Sequence, residues 1–144
     1  MRGYKALDEN MCAAHGDKMQ YELNKEYAIN DSISIRSCGY HFCKEIINII
    51  DYYCNIRNFR VFEIDTLDGA IDSDDDLYCS NKIKLIREVS KEELEKYFEN
   101  YLDKFDKEMD WQKRLKIAAQ GYCLDTLINS TNPWVRICAG IWIR

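Results

Sequence analysis

The hydrophobic repeat of this chain changes character at Ser90, and that change constrains the fold more than any motif does. Before it, the clearest patterns have a period of two. In "RVFEIDTL", from Arg60, Phe62 and Ile64 fall on one pleat face and Glu63 and Asp65 on the other. In "KIKLIREV", from Lys82, strict alternation groups Ile83, Leu85 and Val89, while Lys82, Lys84 and Glu88 point away. After Ser90 the period is helical: Leu94, Tyr97, Phe98, Tyr101, Leu102 and Phe105 recur at three- and four-residue steps, with Glu95, Lys96 and Glu99 facing water. Strands followed by helices imply an α+β fold, a small mixed or antiparallel sheet and then a C-terminal bundle of helices. The expected division is an α+β domain over 1–89 and a helical repeat segment over 90–144, packed on it or extending from it.

Local signals fill in this outline. "GYKAL" reads as a first strand and Tyr21 to Leu23 as a second short extended piece; Asp68-Gly69 is a turn. Ser90 and Glu93 form a capping-box pattern, in which the serine oxygen takes an orphan amide and the glutamate reaches back. The carboxylates of "DSDDD", Asp72 to Asp76, read as a solvated loop, because a calcium loop needs more ligands and a glycine among them. Near the end, Arg114 opens "RLKIAAQGYCLDTLINSTNPW", and twenty-two residues later Arg136 opens "RICAGIWIR" with the same basic-then-apolar pattern. Gly121 ends the first of these helices and Asn132-Pro133 starts the next. Helical repeats bury their faces on their neighbours, so a last helix ending in Ile141, Trp142 and Ile143 needs a cover from the preceding lobe, a second copy or a partner. Trp134, Ile137, Ile141 and Trp142 are therefore the candidate partner-binding residues.

"CGYHFCKEIINIIDYYC", Cys38 to Cys54, concentrates three cysteines and a histidine. If Gly39 to Cys43 is extended, His41 and Cys43 share a face and Cys38 points the other way, so the three do not converge on one ion. The pattern then turns helical, with Ile46, Ile47, Ile50 and Tyr53 apolar. A strand running into a helix, with no metal, is the expectation. Cys43 beside His41 reads as a buried thiol in the absence of a third group to orient the pair.

Composition excludes several classes. A net charge of −5 disfavours a phosphate backbone as partner, so nucleic acid is not expected. Asp8 and Glu9 stand where a signal peptide needs its apolar core, and "ICAGIWI" is too short to span a bilayer, which points to a cytoplasmic protein with no membrane contact. Seven cysteines, an odd number without regular spacing, read as free thiols in a reducing compartment. Only His15 and His41 could serve a Ser-His-Asp set, and neither lies beside a nucleophile; a glycine-rich phosphate loop is lacking too.

The runs "CGYHFC", "DYY", "VFEIDTL" and "NKIKLIREVS" resemble an uncharacterised domain family of bacteriophages and Firmicutes, and "GYCLDTLINS" resembles the HEAT-like helical repeat that often follows it. A second likeness is to the ADP-ribosyltransferase fold. Gly39-Tyr40-His41-Phe42 is similar to that family's second strand, Tyr52 stands at its tyrosine spacing eleven residues beyond His41, and "VFEIDTLDG" is similar to its core strand. Where the family has a histidine and a catalytic glutamate, this chain has Lys5 and Lys82. A cation beside the positive charge growing on the ribose raises the barrier, so the resemblance implies a scaffold without turnover, its cleft lined by Lys5, His41, Tyr52 and Lys82.

The function expected is thus a non-catalytic binding or inhibitory protein of phage or mobile-element origin, with no catalytic residue and no cofactor. Its expected partner is a host protein, such as a defence component of the CRISPR-effector kind, with a homodimer through the C-terminal helix as a further contact. Two alternatives stand beside it. One is an ADP-ribosyltransferase-like enzyme in which Glu63 or Glu88 does the missing work; the other is a sequestering protein that holds a nucleotide phosphate between Lys5 and Lys82.

Overall fold

The computed structural model describes residues 1–13, 19–35, 37–104 and 111–143. Its strands are β1 (Arg2–Leu7), β2 (Glu26–Ala28), β3 (Tyr40–Cys43), β4 (Arg60–Asp65), β5 (Ile71–Asp74), β6 (Leu77–Ser80) and β7 (Lys82–Val89). They form one seven-stranded sheet in the order β2-β7-β4-β1-β3-β6-β5, every strand pair antiparallel. The helices are α1 (Ile49–Tyr53), entered through a 3-10 turn at Ile46–Asn48, α2 (Lys91–Lys104), α3 (Trp111–Ala119), α4 (Leu124–Leu127) and α5 (Pro133–Ile143). The α+β organisation follows from the change of period at Ser90. Among the described residues, no helix is long and apolar enough to cross a membrane.

Both faces of the sheet are covered, by different means. On one face Ala6, Cys43, Val61 and Val89 join Ile49, Ile50, Leu94, Phe98, Ile117, Leu127 and Val135, so a single core seats all five helices on the sheet. On the other face Leu7, Phe42, Phe62, Ile64, Ile83 and Leu85 are covered by Tyr21 with Met11, Met19 and Tyr27, from the segments between β1 and β3. His15 and Phe105 lie outside the described residues.

Three expectations need correction. The second extended piece lies later than Tyr21–Leu23: Leu23 makes an isolated bridge to Leu85, and the strand proper begins at Glu26. "DSDDD" is not a loop, because Asp72 and Asp74 belong to β5 and only Asp75 and Asp76 turn into β6; Asp75 takes the left-handed conformation, φ 53°, that a two-residue hairpin turn requires. Finally, Val89 does not share a face with Ile83 and Leu85. The β4–β7 register steps from Glu63↔Arg87 to Ile64↔Leu85, leaving Ile86 as an extra residue on β7. That bulge inverts the alternation, so Val89 enters the helix-side core while Glu88 turns to the opposite face.

Candidate functional site

The proposed cleft of Lys5, His41, Tyr52 and Lys82 does not assemble. The register pairs Lys5 with Phe62 and Tyr4 with Cys43, which places Lys5 on the Tyr21 side of the sheet, whereas His41, Lys82 and the helix carrying Tyr52 lie on the other side. β7 and β3 are separated by β4 and β1, so Lys82 starts some 14 Å from His41 across the sheet. Each group also has a local occupation. Lys5 is buried, donates from Nζ to the His41 carbonyl at 2.6 Å, and lies 5.7 Å from the centre of the Tyr21 ring. The His41 ring Nε2 is 2.7 Å from the Ile35 carbonyl oxygen. Lys82 Nζ donates to Asp68 at 2.6 Å. Tyr52 is half-buried against the helix-side core, where burial raises its hydroxyl pKa. The carboxylates proposed to replace the missing glutamate are engaged too: Glu63 pairs with Arg2 and Arg87, and Glu88 with Arg60.

The C-terminal helices present a different surface. Asn132 caps α5, its Oδ1 accepting from the amides of Trp134 and Val135, and Pro133 supplies the preset first-turn geometry. With that start fixed, Val135 and Ala139 fall on the buried side, and Trp134, Ile137 and Ile141 at three- and four-residue steps fall on the other. These three are 65%, 58% and 62% exposed. Together with Cys138 and with Trp111 and Leu115 of α3 they line an apolar groove of about 350 Å³. Three of the four residues expected to bind a partner are thus brought together. Trp142 is not with them; it lies over Gly121, its ring atoms 3.4 Å from where a Cβ would stand, and lines a second hollow of about 440 Å³ with Asn58, Lys91, Glu92, Glu95, Gln120 and Tyr122. Trp142 as a whole is 43% exposed. Gly121 takes φ 84° as it ends α3, a conformation that glycine adopts freely.

Trp111 and Leu115 escaped the sequence reading although they stand four residues apart on one helix, because a groove between two helices needs the packing of α3 on α5 to define it. A second cluster was equally hidden. Glu95 and Glu99 of α2 and Cys123 each bring one potential ligand atom to within 4.8 Å of the others, from positions far apart in the chain. Glu95 Oε1 accepts the Cys123 amide at 2.7 Å. Burial first, then the neighbouring carboxylates, push the Cys123 thiol up to about 12, so it stays protonated and is a poor nucleophile at neutral pH. The two arginines that open the similar basic-then-apolar stretches differ in role. Arg114 is buried and donates to the Leu102 carbonyl at the end of α2, whereas Arg136 is exposed and donates to the Ser130 and Thr131 carbonyls just before its own helix.

Residues 1–97 match a family described as a domain of unknown function (DUF7666). The chain belongs to that family. No curated protein and no solved structure matches it. The DUF7666 match takes in the whole sheet, α1 and the first half of α2, and ends before α3 and α5, which carry the apolar groove.

Proposed function

We propose that this DUF7666 protein is a non-catalytic binding protein, of phage or mobile-element origin, that acts by docking on another protein through the apolar groove between α3 and α5. The supporting observation is the line of Trp134, Ile137 and Ile141, each more than half exposed, beside Trp111 and Leu115. Their uncovered surface is on the order of 400 Å², the size of the largest apolar patch on a typical monomer, which is often a functional one. Large aromatic and branched side chains at the centre of such a patch are the groups that carry binding free energy when water is expelled from them. A narrower proposal, that the partner is a host-defence component such as a CRISPR effector, draws on the sequence resemblance to phage and Firmicute domains.

The test is affinity capture from host cells with the wild-type chain and with a Trp134→Ala/Ile141→Asp variant, identified by mass spectrometry. A partner held by the wild type and lost by the variant is the expected result. Equal capture by both would remove the docking role of this face, and transfer of label from NAD to any protein would replace binding with catalysis.

A further inference from the structure

Tyr122 is a buried polar group that the fold leaves unused. The residue is 7% exposed, its ring packed edge-on against Phe98 with centroids 5.1 Å apart. Among the described residues its hydroxyl has no hydrogen-bond partner, whereas a phenol this deeply buried normally finds one. The oxygen is not sealed in, and the open space beside it is the hollow of about 440 Å³ that Tyr122 lines with Glu92, Glu95 and Trp142.

The rest of that wall is rich in acceptors. Asn58 Nδ2 donates to Glu9 and Gln120 Nε2 donates to the Cys54 and Ile56 carbonyls, so both amides have their nitrogen ends tied back and their oxygen ends left over. Glu95 Oε1 accepts the Cys123 amide at 2.7 Å, which holds the carboxylate in place with its second oxygen to spare. Burial first, then Glu95 and Glu92, push the Tyr122 hydroxyl up to about 12, so it stays neutral and its lone pairs can accept. Lys91 is the one base among the described residues lining the hollow. A ligand that satisfies this wall brings N–H donors and positive charge. A second hollow, of about 260 Å³, shares Glu95 and Gly121 with the first and adds Glu99 and Asp125. Glu92, Glu95 and Glu99 climb α2 in steps of about 4.5 and 6 Å, lengths that three or four methylenes span between two nitrogens. We propose that the two adjoining hollows bind a linear polyamine, its nitrogens on the Tyr122 hydroxyl and the Glu92, Glu95 and Glu99 carboxylates and its methylenes along Trp142. An indole suits such a chain, because it offers an apolar wall to the methylenes and attracts the ammonium groups. Neither hollow shares a lining residue with the apolar groove, so this site stands or falls apart from the docking reading.

The test is isothermal titration calorimetry of the chelator-treated full chain against spermidine and against butylamine, which carries a single ammonium group. Spermidine binds at one site, at least about tenfold more tightly than butylamine, because several linked nitrogens meet several carboxylates. Tyr122→Phe, which removes only the unpartnered oxygen, lowers spermidine affinity about tenfold, the loss expected for one hydrogen bond to a charged group. Glu92→Gln, at an exposed side chain, lowers it by a similar factor. Asp74→Asn/Asp76→Asn, on the β5–β6 hairpin that lines neither hollow, leaves it within about twofold. Circular dichroism checks the folding of each variant. No saturable heat with spermidine, equal affinity for butylamine, an unchanged Tyr122→Phe, or an equal loss from the hairpin variant overturns the proposal. Calcium or zinc that displaces spermidine assigns the carboxylates to a metal and overturns it too. Ile141→Asp, in the apolar groove, leaves spermidine binding unchanged; a loss there would overturn the assignment to these hollows.

Discussion

Lys5 is a cation buried without a carboxylate. Its ammonium has the His41 carbonyl at 2.6 Å and the Tyr21 ring beside it, and loss of water pushes its pKa from 10.5 down to about 8. Between those values the unfolded chain holds a proton that the folded chain has released, so this group makes the fold more stable as pH rises through that window. Its neighbours act in the opposite sense. Burial pushes the Cys43 thiol up to about 12 and raises the Tyr21 hydroxyl too, so the unfolded chain loses those protons first and stability falls as pH passes 9 and 10. The Lys5 contribution is therefore read as a difference. Urea unfolding of wild type and Lys5→Met is expected to show a stability gap favouring the variant near neutral pH that shrinks by about 3 kcal/mol by pH 10.5. A gap that stays constant would mean that the ammonium is solvated in the folded protein. Nothing in "GYKAL" signals this, because alternation assigns Lys5 a face without saying that residues between β1 and β3 cover it.

At the scale of elements, the sequence was legible wherever one local rule decides the outcome. The capping box forms as its spacing implies: the Glu93 amide donates to Ser90 Oγ at 3.1 Å and the Ser90 amide to Glu93 Oε1 at 3.3 Å. Ser90→Ala is expected to lower stability by about 1 kcal/mol in chemical denaturation, with the m-value unchanged. Asn132-Pro133 and Gly121 likewise fix the ends of α5 and α3 by their own chemistry. The reading failed where a neighbouring element decides. The Ile86 bulge depends on what β4 presents to β7, and the β5–β6 hairpin pairs against β3, which the carboxylates of "DSDDD" do not announce. The four-residue cleft failed for the same reason, since resemblance supplied an order of residues but not their sides of the sheet. Gly3 shows such a non-local constraint directly. A Cβ there would stand 2.6 Å from the Phe42 ring and 2.8 Å from the Cys43 carbonyl oxygen, where β1 meets β3 at the single pair Tyr4↔Cys43. Gly3→Ala should cost roughly 2 kcal/mol in the same assay, and a neutral outcome would show that β3 can retreat without loss.

Across the described residues, the two sheet faces are closed by different materials, and the helix side carries most of the apolar surface that faces outward, with Leu23 and Ile71 as smaller exposures elsewhere. α5 makes the contrast sharpest, because Val135 and Ala139 are fully buried while Trp134, Ile137 and Ile141, one helical face away, are open. If the open face serves binding rather than folding, its side chains can be made polar at little cost to the fold, whereas those of the inner face cannot. Ile137→Asp/Ile141→Asp is expected to change unfolding free energy by less than about 1 kcal/mol, while Val135→Asp, which places a charge in the core joining α5 to the sheet, costs more than about 3 kcal/mol. The fluorescent probe ANS separates the two cases further. Its emission with the native wild-type chain should fall on Ile137→Asp/Ile141→Asp, because the groove that binds it has lost its apolar wall, and rise on Val135→Asp, because the core has opened. If the outer-face variant unfolds as readily as the inner one, the groove is a structural seam of the helical lobe, and the docking reading loses its surface.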